Sequence, residues 1–469
     1  MPKMDDAAER PLAGEAAAYW LFIALMTAVA LSGGSSRYDS MAQIVVRVAA
    51  VAAMLGWTAL PGRERAAELW RPFAFVATIA AVALIQLVPL PPSLWTAAPG
   101  RGFYADLAGV AGIEQPWRPL NLSPDRGRQS LLALVVPLAT LVGLSRLGER
   151  HRLALVGPLL ILVVSSAVLG LAQLSTGRQS ALRWYAVNND RFATGFFANR
   201  NHQAVLLSLA LPLLAVWASR PGKPGSTRRH RAWLAAGCGA FLLLMVPTTG
   251  SRSGLAAVVV ALAGAIALAA PALRRFLGGL PRRRRRAALA AGAAGLSGFA
   301  VLAWALGRND ALGRLRGLDV TEDLRARLLP TVIEMTREFF PVGSGMGSFE
   351  AVYRRFEPFD MLSTSYRNMA HNDLLQVVLE AGAAGLLLLV AFVLWWAWRT
   401  WGAWRAEPSA ATRAARAASV MLAILLGASA VDYPLRTPLM MMVATIAAVW
   451  LEGIARPGRA ALLRSGSGG

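Results

Sequence analysis

The residues best suited to chemistry in this chain are a few histidines and arginines set in short polar stretches between long apolar runs. His371 stands in Met369-Ala370-His371-Asn372-Asp373, which opens directly into such a run. A helix cap accounts for Asn372 or Asp373, whose side-chain oxygens can satisfy free backbone N–H groups. It does not account for the histidine. Arg252 lies in Thr248-Thr249-Gly250-Ser251-Arg252-Ser253-Gly254. There Ser251, a close approach permitted by glycine and the N–H groups of a helix start favour an anion, although an arginine snorkelling at an interface is the plainer reading. The stretch from Asp190 to His202 adds Arg191, Arg200 and His202 just ahead of another apolar run. In Val431-Asp432-Tyr433-Pro434-Leu435-Arg436 a rigid turn brings Asp432 and Arg436 near enough for a local pair. The glycine-rich stretch from Pro341 to Phe349 fits no phosphate-loop pattern and lacks a following lysine. His151 and His230 sit beside arginines and read as solvated charge partners. Asp319, Glu322 and Asp323 lack metal-ligand spacing and read as an N-terminal helix cap, so neither a metal nor a cofactor is expected.

The elements that must position these residues are membrane helices. Of the 469 residues, 56% are hydrophobic and 16% charged, against about 45–50% and about 25% in soluble domains. The apolar residues form runs long enough to cross a bilayer. The runs predict an all-α, polytopic membrane protein of about twelve helices, a single membrane domain over 1–469. Their spans are 16–32, 41–60, 72–90, 129–145, 153–173, 201–219, 232–249, 253–272, 287–306, 374–398, 415–431 and 437–455. The first nine thus fill 16–306 and the last three 374–455, with a large loop at 307–373 and a tail at 456–469. The first run is read as retained, since no convincing cleavage site follows it. Within the large loop, Leu328, Val332, Met335 and Phe339 have helical spacing, and such a helix is expected to lie along the membrane surface over the bundle.

The formal charge of +22 is a usual mark of nucleic-acid binding, but in a membrane protein basic residues gather in cytoplasmic loops and set orientation. The unbroken run Arg282 to Arg286 falls in one such short loop. The expected topology has both termini in the cytoplasm and no nucleic-acid partner. All five polar motifs then fall on the outer face, as an anionic substrate approached from the outer leaflet requires.

The order of these motifs resembles the O-antigen ligase and polymerase superfamily of bacterial envelope glycosyltransferases. The matching residues run from Asn199-Arg200-Asn201-His202 through Gly250-Ser251-Arg252-Ser253-Gly254 to Gly343-Ser344-Gly345-Met346-Gly347. They continue through His371-Asn372-Asp373 with Glu380-Ala381-Gly382 and end at Asp432-Tyr433-Pro434-Leu435-Arg436. Gln86-Leu87-Val88-Pro89 also matches. The resemblance implies a helical fold related to the C-type lipid-linked glycosyltransferases, with a large periplasmic loop. It implies a site facing the periplasm in the bacterial inner membrane. It also implies transfer of a glycan from undecaprenyl pyrophosphate to a hydroxyl on a second glycan or a lipid A–core. Arg252, Arg325 and His371 match the family's catalytic positions; Arg327 and Arg337 lie close to Arg325. Arg191, Arg200, His202, Ser251, Asn372, Asp432 and Arg436 are expected around the substrate. The sequence departs from the family in Ser253, where many members carry glycine, and in Met369, where they carry a second histidine.

The residues suit that reaction on chemical grounds. Cleaving an anomeric C–O bond to a pyrophosphate builds charge on the leaving group, which arginines stabilise with planar bidentate bonds. The acceptor hydroxyl needs a base, and a histidine among arginines is the candidate. The main alternative is a transporter or flippase for lipid-linked glycans. Against it stand the lack of internal repeats and a site on one face only. A noncatalytic assembly factor would leave His371 and Arg252 without a role.

Overall fold

The computed structural model describes residues 14–38, 40–62, 64–220, 226–315, 321–362 and 367–453; side chains at 226–228, 296, 300, 302–315 and 321–326 are not among those described. The chain is a helical bundle with almost no strand. It starts with α1 (Glu15–Ser32), α2 (Met41–Ala59) and α3 (Trp70–Leu87). A first loop layer holds α4 (Pro92–Ala97) and α5 (Gly102–Val110), before α6 (Pro124–Ala133) and α7 (Val135–Ser145) return into the bundle. Then follow α8 (Glu149–Ala154), α9 (Val156–Thr176), α10 (Arg200–Ala218), α11 (Ser226–Thr248), α12 (Arg252–Gly278) and α13 (Arg282–Leu315). The large loop contributes α14 (Thr321–Phe339) and α15 (Phe349–Phe356), and α16 (Asp373–Arg405), α17 (Ala410–Ser429) and α18 (Pro438–Glu452) end the described chain. Two strands of two residues, Pro89–Leu90 and Arg118–Pro119, pair antiparallel at the loop face.

Among the described residues ten helical segments are long and apolar enough to cross a membrane, with α18 a shorter apolar helix. Each coincides with one of the runs read from sequence. The ninth run, 287–306, lies inside α13, which continues to Leu315, past the boundary expected at 306. The proposed tail at 456–469 lies outside the described residues.

Burial follows composition. α10 is apolar on nearly every side after its first turn and is buried along most of its length between α9, α11, α12 and α17. Helices at the rim keep large apolar side chains outward, among them Ile44 and Leu55 on α2, Val259 on α12 and Leu387 and Leu394 on α16. Apolar surface on this scale is stable only against another apolar phase, here lipid.

A second, smaller core lies at the loop face. Leu328, Val332, Met335 and Phe339 are all buried, but against Phe349, Val352, Tyr353 and Leu379. The apolar face read from sequence therefore packs onto α15 and the start of α16. Arg101 anchors this layer. Wholly buried, it donates to Pro99 O, Leu120 O and Gly343 O, and burial lowers its pKa to about 10.

The feature that sets the site is a break in α16. Gly382 has φ 59° and ψ −140°, outside helical geometry, and a region open essentially to glycine alone. The interruption frees backbone groups that the turn at 341–345 satisfies. Ala383 N donates to Pro341 O (2.8 Å), while Ser344 N and Gly345 N donate to Leu379 O (2.9 Å) and Glu380 O (2.8 Å). Gln86 Nε2 also donates to Glu380 O (2.9 Å). Side chains at Gly343 or Gly382 would collide with this seam, since a Cβ on Gly382 would stand 2.0 Å from Pro341 O. The glycine-rich turn is thus a structural splint, and its glycines serve backbone contact.

Candidate active site

His371 sits just before α16, held there from both sides. Asn372 is the helix cap, its side chain accepting from Leu375 N (3.0 Å). Ala370 N donates to Gln376 Oε1 (2.8 Å), and Asp373 N to Asp432 O (3.3 Å). Between these anchors His371 takes φ 53°, the one positive φ at a non-glycine residue among those described. Such strain persists only where surrounding contacts enforce it and concentrates at functional sites.

The imidazole packs on Tyr433, ring centroids 4.9 Å apart. Its Nδ1 faces Asp432 Oδ1 at 3.4 Å. Asp432 is itself held. Its Oδ2 accepts from Asn201 Nδ2 (2.6 Å) and its Oδ1 from Tyr433 N (3.0 Å). His202 meets the other side of Tyr433 edge-on (5.3 Å) and is almost wholly buried. His202 and Asn201 therefore support the Asp432–Tyr433 corner from the start of α10. The charged neighbour of His371 is a carboxylate, whereas the sequence suggested arginines.

Arg252 is the first residue of α12. Ser251 caps that helix, its hydroxyl accepting from Gly254 N (3.0 Å), so the serine oxygen predicted to face substrate is committed to the backbone. Arg252 and His371 line one cavity of about 610 Å³. Arg252, Ser253, His371 and Asn372 form its polar lining, and its apolar lining includes Val260 of α12 and Ile424 of α17. The cavity therefore offers a charged head site and an apolar path for a chain.

The remaining expected residues divide. Arg200 stacks over Phe192 (4.0 Å) with its guanidinium against Gly250, beside the Arg252 turn. Arg191 is exposed in the preceding loop. Arg325 belongs to α14, but its side chain is outside those described; Leu329, one turn later, lines the cavity. Of its neighbours, Arg327 pairs with Asp360, and Arg337 is exposed.

The local Asp432–Arg436 pair read from sequence does not form. Arg436 turns away to Asp373 (2.5 Å) and Glu380 (3.4 Å), on the far side of the α16 start. Burial alone would lower its pKa, but the two carboxylates outweigh that and hold it above its ordinary value. The consequence is a division of labour. Asp432 is released to His371, while Arg436 neutralises the two acids of α16. Asn201 and Tyr433 had been passed over as site residues, because neither carries charge and their contacts join segments far apart in sequence.

These features define a multi-pass, all-helical membrane protein with a polar site where its loops meet the bundle. A family model described as O-antigen ligase matches residues 237–390. That span includes Arg252, α14, the glycine-rich turn, His371 and the break in α16, and over it the chain is similar to O-antigen ligases. The likeness supports a role in glycan transfer during O-antigen or polysaccharide synthesis. No curated protein matches the chain.

Proposed function

We propose that the protein transfers a glycan from undecaprenyl pyrophosphate to a hydroxyl acceptor at the periplasmic face of the bacterial inner membrane, as a ligase or polymerase. The observation that carries this reading is the shared cavity of Arg252 and His371, with its apolar walls. Arg252, with Arg325 from α14, binds the pyrophosphate and stabilises the charge developing on it. His371 Nε2 accepts the acceptor's proton as that oxygen bonds to the anomeric carbon and the C–O bond to pyrophosphate breaks. Asp432 orients the imidazole through Nδ1 and stabilises the imidazolium. Arginines supply the positive charge, so the reaction is expected to need no metal, and activity should survive EDTA.

The test is the pool of carrier-linked glycans in a deletion strain complemented with wild type or His371→Ala. Single repeat units accumulating mark a polymerase; full-length polymer left on the carrier marks a ligase. His371→Ala should fail to restore either. Unchanged carrier glycans, or full rescue by the variant, would overturn the assignment.

A further inference from the structure

The start of α16 is a partition. Ala370, His371, Asn372 and Leu375 face the cavity described above, whereas Met369, Asp373, Gln376 and Glu380 face a second one of about 320 Å³. Four arginines line this second space, Arg37, Arg47, Arg126 and Arg436, against three carboxylates, Glu350, Asp373 and Glu380. The acids are already engaged. Glu350 pairs with Arg126 (3.0 Å) and Arg354 (2.7 Å), and Asp373 and Glu380 with Arg436 (2.5 and 3.4 Å).

Arg47 is the unusual member. It is the seventh residue of α2, about 9 Å along a helix that crosses the membrane. Among the described residues its hydrogen bond runs from Nη1 to the neutral Gln129 Oε1 (2.6 Å). Its Nε is buried with no hydrogen-bond partner, and no carboxylate among the described residues pairs with it. An arginine at membrane depth costs several kcal/mol unless a partner or a polar cavity compensates. Below it the walls are apolar, with Ile79, Leu134, Leu389 and Met441.

We propose that this second cavity binds the acceptor, and that the acceptor is a phosphate-bearing lipid. Its phosphate lies on Arg47 and Arg126 beside Gln129, and its chain runs down the apolar wall. This rests on the transfer reading above and gives it a geometry. Donor and acceptor enter on opposite sides of one helix start, and the acceptor hydroxyl reaches His371 over the top of the partition.

The binding test needs no turnover. Full-length protein in detergent is titrated by native mass spectrometry with undecaprenyl phosphate and with lipid A as phosphate-bearing probes, and with diacylglycerol as the uncharged control. Arg47→Gln removes a charge-assisted contact and should weaken lipid A binding about tenfold or more, whereas undecaprenyl phosphate keeps its place in the Arg252 cavity. Ala133→Phe, which fills this cavity, should do the same, whereas Ala256→Phe, in the other cavity, should leave lipid A binding intact. If Arg47→Gln and Ala133→Phe bind lipid A as wild type does, the site is wrong. Kinetics then identify the occupant. A raised acceptor KM with unchanged donor KM in Arg47→Gln supports the proposal. A raised donor KM assigns the cavity to the carrier, and lost binding with unaltered kinetics assigns it to a bystander phospholipid; either overturns the acceptor role. A wild-type protein that binds the probes but transfers nothing would refute the transfer reading and not the site.

Discussion

Replacing Asp432 by asparagine isolates what the carboxylate does for His371. The two are nearly isosteric, and Asp432 is 2% exposed; the amide oxygen keeps the bond from Tyr433 N, and Asn201 has to turn its own amide to accept from the new –NH2. The lost interaction is between a carboxylate and the imidazolium formed as the acceptor is deprotonated. At the observed 3.4 Å between Nδ1 and Oδ1 and an effective dielectric of about 20, that attraction is about 5 kcal/mol. An amide dipole recovers part of it, leaving a loss of about 2–4 kcal/mol in transition-state stabilisation. That corresponds to about a 30- to 1,000-fold fall in kcat. Donor KM should change less than about threefold, because the carboxylate meets the histidine and not the pyrophosphate. The assay is transfer from a lipid-linked donor by purified protein, with thermal unfolding as a control for folding. The double variant with His371→Ala should be no slower than His371→Ala alone, since groups acting as one unit are not additive. Asp432→Asn within about threefold of wild-type kcat, or multiplying losses in the double variant, would refute the coupling of Asp432 to His371.

Other perturbations have equally direct outcomes. Gly382→Ala forces a side chain into Pro341 O at 2.0 Å and should yield little folded protein, as read by size exclusion in detergent. Arg436→Leu leaves Asp373 and Glu380 buried without their cation, a loss of about 3–5 kcal/mol, seen as a large fall in unfolding temperature. Arg436→Lys keeps the charge and should recover most of that. Asn372→Ala removes the cap at Leu375 N and should cost about 0.5–2 kcal/mol, together with reduced kcat if the loosened helix start lets His371 drift.

The membrane helices were legible because each is encoded locally, by an apolar run of bilayer length closed by glycine, proline or charge. The loop layer was half legible. The period of Leu328, Val332, Met335 and Phe339 gave the buried face of α14, but periodicity does not say which elements cover it, and these are α15 and the start of α16. Within the site, His371 and Arg252 stood out by residue type, and the structure brings them to one cavity. Pairing was not legible. Asp432 lies four residues from Arg436 and far from His371 in sequence, so proximity along the chain suggested the wrong partner. The choice is made by the 3₁₀ turn at Pro434–Arg436, which sends the guanidinium to the acids of α16. The glycine-rich turn fits no phosphate-loop pattern in sequence, but what its glycines do was not legible, because the backbone they admit lies on a distant segment.

The splint across the break in α16 bears on how substrates arrive. Raising the large loop as a lid would pull Ser344 N and Gly345 N from Leu379 O and Glu380 O, and Pro341 O from Ala383 N. Exchanging three such pairs for bonds to water costs about 1.5–4.5 kcal/mol, which leaves a raised loop a minor state. The roof of the site is tied down at this seam. On the proposed reaction, entry is then sideways, from within the leaflet between the helices that wall each cavity, and the reactants are sorted by the gap through which they slide before any sugar is recognised.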